Sequence, residues 1–185
     1  MTEDIRKVPV QLKPAEPKHA SLMTAIEARA FLDEMQYVSP EKLAELKRLK
    51  YPPLGPPGIL DSNWTRDNIE WEGCHYYIIC YGEGVVGGVF FPADWQKFPE
   101  ENFWRIFIEP MYHGRGIGSE VFRQVYRMHP DVKRWRLGTP EFNPKTRHFY
   151  EKMGFRLLGI EEKEGIWFRS AEYENVLTHE ERLKL

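Results

Sequence analysis

Hydrophobic positions recur along this chain with two periods, near 2 and near 3.6, and the switches between them divide it into strands and helices. Residues 8–12, Val-Pro-Val-Gln-Leu, predict a first strand, with Pro9 near its edge or beginning because proline donates nothing to a ladder. From Pro17 a helix follows in which Met23, Ile26, Ala30 and Phe31 fall at i, i+3, i+7 and i+8, with Glu27 interrupting the stripe at i+4. Ser39 and Pro40 cap and open a second helix that carries Leu43, Leu46 and Leu49 and runs down near Lys50. A long irregular stretch over 51–72 comes next, with Pro52, Pro53, Pro56 and Pro57 followed by Trp64 and Trp71. Strands over 75–81 and 85–91 flank Gly82-Glu83-Gly84, a hairpin loop. Aromatic and β-branched residues predict a further strand over 103–108, ended by Pro110. Ile117, Val121, Phe122, Val125 and Tyr126 then recur near helical spacing until Pro130 forbids continuation. A strand over 134–138, a helix opened by Asn143, and strands over 155–160 and 166–171, joined by charged residues 161–165, complete the pattern. The polar tail, 172–185, reads as helical or frayed.

One corner of this pattern carries chemistry. His113-Gly114-Arg115-Gly116-Ile117-Gly118-Ser119 places glycines at alternate positions between the 103–108 strand and the helix after it. Without Cβ atoms a phosphate can approach the backbone closely, and the unpaired amides of a helix start favour negative charge. A Walker loop is excluded, because Gly118 is followed by Ser119 and Glu120 with no lysine. A dinucleotide fingerprint fits poorly: the spacing is G-x-G-x-G, and Arg134 stands where an acid is needed. Downstream, Asn143 suits an N-cap, Pro144 the first helical position, Lys152 the C-terminal dipole and Gly154 a left-handed C′ residue, which by themselves merely start and stop a helix.

Taken together and in this order, residues 113–118 resemble the Q/R-x-x-G-x-G/A pyrophosphate loop of the GNAT N-acetyltransferases, with histidine at the usual Gln or Arg. Asn143 and Phe149-Tyr150-Glu151-Lys152-Met153-Gly154-Phe155 resemble the family's second signature. Val85-Val86-Gly87-Gly88-Val89 resembles its third strand, and residues 11–15 its opening strand and turn. The resemblance covers nearly the whole chain. At 185 residues the chain is long enough for one well-buried core and short for two, so a single GNAT-like domain over 1–185 is expected, with 1–7 and 172–185 flexible or peripheral. The resemblance implies a mixed α/β, GNAT-like fold: a central mixed, mostly antiparallel twisted sheet of about seven strands with about four helices, strands 4 and 5 splayed to admit coenzyme A.

The activity so implied is acetyl transfer from acetyl-CoA to the primary amine of a small molecule or peptide, by direct attack and without a metal. A non-catalytic CoA-binding sensor or interaction module of the same fold is the alternative. Gly114, Arg115, Gly116, Ile117, Gly118 and Ser119 would hold the pyrophosphate, His113 the first contact of that loop. Phe107 and Ile108 would pair with the pantetheine arm, which Asn143 also reaches unless it serves only as a cap. An acceptor amine, with an ordinary pKa of about 10.4, must lose a proton before it attacks. The oxyanion needs a donor, which the amide near Ile108 can supply. The departing thiolate, from a parent thiol of pKa about 8.5, needs a proton or hydrogen bond, and Tyr150 matches the family tyrosine that gives it. For the base, Glu101 is a candidate beside Asn102, which stands nearest the usual position; Glu109 is a weaker one, because a carboxylate beside an anion seat must point away.

Composition narrows the partners. With 26 Lys+Arg against 28 Asp+Glu the net charge is -2, so no broad cationic field draws nucleic acid. No early apolar run resembles a signal peptide, and no stretch is long enough to span a membrane. Cys74 and Cys80 stand six apart in one strand, about 20 Å, beyond disulfide reach. Free thiols in a reducing cytoplasm are expected. The oligomeric state is left open, a homodimer included. Trp64 and Trp71 are expected to cover a wall of the active site, with the acids of 61–72 and of the last hairpin either facing a cationic acceptor or forming solvated surface.

Overall fold

The structure, a computed structural model, describes residues 8–48, 56, 58–99 and 102–185. Among the described residues seven strands form two sheets, one of four strands in the order β1-β2-β3-β4 and one of three in the order β5-β7-β6. In the first sheet β1 (Val10–Pro14), β2 (Cys74–Tyr81), β3 (Gly84–Pro92) and β4 (Arg105–Ile108) pair antiparallel throughout. The second sheet pairs β5 (Trp135–Pro140) and β6 (Arg156–Glu162) on either side of β7 (Arg169–Asn175), again antiparallel.

Alternation along β2 explains how the first sheet is covered. Cys74, Tyr76, Ile78 and Cys80 face a cluster with Met23, Ile26 and Ala30, whereas Ile79 faces the opposite cluster with Val121, Phe122 and Val125. Helix α1 (Ala20–Glu34) therefore lies on one face of the sheet and α4 (Ile117–Met128) on the other. A register shift between Ile79 and Cys80 lets both Val86 and Val89 point to the α4 side despite their odd separation. Cys74 and Cys80 are buried and unbridged.

Several expectations are corrected. The stretch after α2 (Pro40–Arg48) is not irregular throughout, because Asp61 accepts from the backbone amides of Asn63 and Trp64 and starts α3 (Ser62–Glu70). Residues 49–55, at the start of that stretch, lie outside the described residues, as does Glu101. Glu27 does not break the α1 stripe. It is fully buried on it and ion-paired with Arg105 of β4, whose guanidinium lies 5.1 Å over the Trp64 ring and 5.3 Å over Phe90. With α5 (Pro144–Lys152) and α6 (His179–Leu183), the described residues hold six helices rather than about four. β7 begins three residues later than expected and continues through Asn175, so the first four residues of the polar tail are strand. The remainder of the tail is anchored by Arg182, 1% exposed, which donates to the carbonyls of Val132 and Lys133 at 2.6 and 2.8 Å.

Between the sheets the chain opens. The segment just before β4 reaches β5: the amides of Asn102 and Phe103 donate to the Arg136 carbonyl, and the Asn102 side chain bridges the Arg134 carbonyl and the Arg136 amide at 2.8 Å each. Beyond that hinge β4 and β5 share no ladder and belong to different sheets, as expected of strands 4 and 5 splayed apart.

Candidate active site

The open end of the splay is a cavity of about 580 Å³. Its walls come from the last turns of α1, the outer edge of β4, the glycine corner and the first and last turns of α5. Of the residues singled out from the sequence, Phe107, Ile108, His113, Gly114, Gly116, Ile117, Gly118, Ser119, Asn143 and Tyr150 all line it. Positions more than thirty residues apart in the chain thus converge on one space. The Arg115 side chain turns elsewhere, lying 5.1 Å from the Tyr112 ring and 3.4 Å from the Met111 carbonyl. Trp64 packs under β3 against Phe90, and Trp71 stacks on Trp104 at 5.9 Å; neither is among the lining residues, contrary to the expected acceptor wall.

Local sequence sets each wall. Gly114 and Gly116 both adopt positive φ, +75° and +79°, and a Cβ added at either would meet nothing within 4 Å. Gly116 is the N-cap of α4 and offers no side chain to its amides, so the first N–H groups of that helix have no capping side chain. Gly118 answers a different need: a Cβ there would come within 2.9 Å of the Phe149 ring, so its absence lets α4 and α5 approach closely. His113 Nε2 lies 2.8 Å from the Ile108 carbonyl, to which it donates in the Nε2–H tautomer. Glu109 turns away from this corner and is held by Arg29 in a bidentate pair at 2.7 to 3.0 Å.

β4 presents its free edge to the cavity. The Glu109 amide donates to the Val86 carbonyl at 2.8 Å. Because antiparallel bonding alternates, the preceding amide, that of Ile108, points away from β3 into the splay. On the far wall Asn143, 2% exposed, caps α5 by accepting from the amides of Lys145 and Thr146 at 3.0 and 3.3 Å. Tyr150 lies two turns further on, packed among Phe122, Phe149, Phe155 and Tyr173 at centroid distances of 5.4 to 6.3 Å. Burial first, and then the nearby Glu34 carboxylate, raises the phenol above its ordinary pKa and keeps it protonated.

Glu34 is the functional-looking residue that sequence reasoning missed. It lines the cavity from the last turn of α1, and its Oε2 is sealed from solvent with no hydrogen-bond partner among the described residues. Burial pushes its carboxyl from 4.5 to about 7, opposed by a hydrogen bond from Asn143 and assisted by the charge of Asp33. Near a helix end such a glutamate reads as solvated surface, and only the tertiary packing of α1 against α5 reveals otherwise. Among the described residues no group of three or more His, Cys, Asp or Glu side chains converges as a metal site. No helix there is long and apolar enough to cross a membrane.

Solved structures share this architecture. PaiA N-acetyltransferase from Thermoplasma acidophilum, solved in complex with coenzyme A, superposes with a TM-score of 0.63 at 13% identity, covering 91% of this chain and 99% of that one. A GCN5-related N-acetyltransferase from Rhodopseudomonas palustris gives 0.67 at 14% identity over 92% of this chain and 96% of its own. RimL, a ribosomal L7/L12 α-N-protein acetyltransferase in complex with coenzyme A, gives 0.64 at 15%, covering 92% and 95%. At these identities the likeness establishes the fold. No curated protein is close enough in sequence to match. Residues 72–157, which span β2 through the glycine corner to Tyr150 and the start of β6, match the Acetyltransferase (GNAT) domain family. Sequence signature and fold thus agree: residues 72–157 match the GNAT domain family, and the chain has the fold of the GNAT N-acetyltransferases it is similar to.

Proposed function

We propose that this protein is an acetyl-CoA-dependent N-acetyltransferase acting on the primary amine of a small molecule or peptide. The observation that carries the reading is the single cavity in which the glycine corner, the free edge of β4 and Tyr150 converge. That cavity fits the donor: Gly114 and Gly116 leave open space where a Cβ would stand, against uncapped helix amides suited to a phosphate. Backbone amides of residues 114–119 would hold the pyrophosphate, and the outward edge of β4 at Ile108, beside Phe107, would pair with the pantetheine arm. Acetyl-CoA supplies the activated acyl group as a thioester. The Ile108 amide is placed to donate to the carbonyl oxygen as negative charge grows on it. Tyr150 stands opposite, neutral and able to donate to the departing sulfur.

Asn102, nearest the family's usual base position, has both polar ends engaged at the β4–β5 hinge and serves there as a structural clamp. PaiA from Thermoplasma acidophilum and RimL were both solved with coenzyme A, which supports the donor. Among the structural neighbours, a SpeG chimera from Vibrio cholerae and hSSAT is a spermidine N-acetyltransferase and RimL a protein N-acetyltransferase, which supports an amine acceptor without choosing its size.

Calorimetry with acetyl-CoA, followed by a thiol-release screen of amines, amino acids and peptides, tests the proposal. Binding and release are expected with at least one amine class. Absence of binding would remove the basis of the reading, and binding without release across the panel would indicate a non-catalytic sensor instead. A companion variant probes the seat. Gly116→Val forces a β-branched residue to φ +79° and fills the space where the phosphate would lie. We expect it to weaken acetyl-CoA binding at least about tenfold while costing about 1–2 kcal/mol of stability. Unchanged affinity by calorimetry would move the pyrophosphate elsewhere.

A further inference from the structure

We propose that Glu34 is the base that takes the proton from the acceptor ammonium, and that the end of α1 is the acceptor's reception site. This rests on the acetyltransferase reading above and adds to it the missing base and the charge of the substrate. Among the described residues the acids near the cavity narrow to one. Glu27 is locked to Arg105, and Glu109 is held by Arg29; neither lines the cavity. Asp33 lines it but accepts from Gln36 at 3.0 Å. Glu34 alone of these acids combines a position on the wall with a sealed oxygen that no described group satisfies. A buried unpaired carboxylate oxygen is costly to keep, and a cationic amine seated against it would supply the absent donor.

Its surroundings suit proton transfer. Asp33 lies on the same helix, Tyr37 on the turn after it, and Asn143, Lys145 and Tyr150 face it from α5. Lys145 sits 5.7 Å from the Tyr37 ring and hydrogen-bonds that phenol. The result is a carboxyl that ionises near neutral pH, where a base works best.

Protons and bonds balance as follows. The ammonium gives one proton to Glu34, which returns it to solvent. The neutral nitrogen then forms the C–N bond with the thioester carbonyl carbon, and the C–S bond breaks. Tyr150 gives its proton to the sulfur and recovers one from the nitrogen, so the products are the amide, the thiol and one released proton.

The test compares wild type, Glu34→Gln and Glu34→Asp as full chains, using the best amine from the thiol-release screen. Glu34→Gln is expected to bind acetyl-CoA normally by calorimetry and to lose about a hundredfold in kcat/KM at pH 7. In wild type kcat/KM should fall below pH about 7; in the variant that limb should vanish and the deficit should shrink steadily toward pH 10, as free amine becomes abundant. Glu34→Asp should restore part of the rate with an acid limb of its own. A uniform loss at every pH would mean that Glu34 only shapes the pocket, and would overturn the proposal. An independent readout is the carboxyl resonance of Glu34 in 13C-labelled, ligand-free protein, identified by its absence in Glu34→Gln. Titration near 7 supports the assignment, whereas titration below about 5 overturns it whatever the activity. If wild type releases thiol with no amine, the acetyltransferase reading itself falls and this inference with it. Turnover in wild type that Glu34→Gln leaves unchanged refutes only the base.

Discussion

Tyr150→Phe should lower turnover about a hundred- to a thousandfold and leave acetyl-CoA affinity within about twofold. The ring has four aromatic neighbours, Phe122, Phe149, Phe155 and Tyr173, all of which a phenylalanine meets equally well, so the substitution removes an oxygen and little packing. What is lost acts late in the reaction. A thiolate leaving a buried cavity without a donor is far less stable than one in water, since the surroundings cannot reorient to solvate it. The raised pKa of the phenol refines the role. Burial keeps Tyr150 neutral, and a phenol less acidic than a thiol of pKa about 8.5 does not surrender its proton outright. Its contribution is a hydrogen bond that strengthens as charge builds on sulfur, with transfer completed as the attacking nitrogen releases its own proton to the phenolic oxygen. Single-turnover kinetics with calorimetry separates these effects. A fall in kcat with Kd unchanged is the signature of an interaction made only in the transition state. Turnover equal to wild type would reject Tyr150 as donor to the sulfur and leave that task to water.

How much of this was legible beforehand depends on how local each feature is. The α5 signature could be read from the sequence because its physics is contained in about a dozen residues: the Asn143 cap, Pro144 at the first position, and Gly154 at φ +79° where the helix ends. The glycine corner was equally local, its conformation set by Gly114 and Gly116. The splay was legible only through the family resemblance, since it depends on Asn102 clamping two strands that meet thirty residues apart. α3 was hidden because it buries Thr65 rather than an apolar stripe and follows a proline-rich segment, although Asp61 was a readable cap. Glu27 and Glu34 were misjudged or missed for one reason. On a helix written in isolation a glutamate marks the wet face, and nothing nearby announces that Arg105 will arrive to pair with the first or Asn143 to touch the second. Long-range electrostatics is what a single sequence conceals best, and in this chain it surrounds the proposed chemistry.

Ligand-free Glu34→Gln should be more stable than wild type at pH 8, by about 2 to 3 kcal/mol, and close to it in stability at pH 4. The sign follows from linkage. The carboxyl titrates at 4.5 when exposed and at about 7 in the fold, so the folded chain holds this proton more tightly than the unfolded one. The stability so gained is fully present below pH 4.5 and is lost as pH rises through 7. Above that, wild type carries a desolvated carboxylate with an unsatisfied Oε2, while glutamine, nearly the same shape, stays neutral and keeps its contact with Asn143. Glu27, whose carboxyl is also raised by burial despite Arg105, adds a similar decline to both proteins and cancels in the difference. Urea denaturation of both chains across pH 4 to 9 measures the gap directly. A variant equal to or weaker than wild type at pH 8 would show that Glu34 is satisfied in the free protein and would remove the physical reason for its poise. Should the gap appear, the most stable variant would also be the least active. A base tuned by burial holds its charge at the expense of the fold, and the acceptor ammonium is the group that relieves that strain on binding.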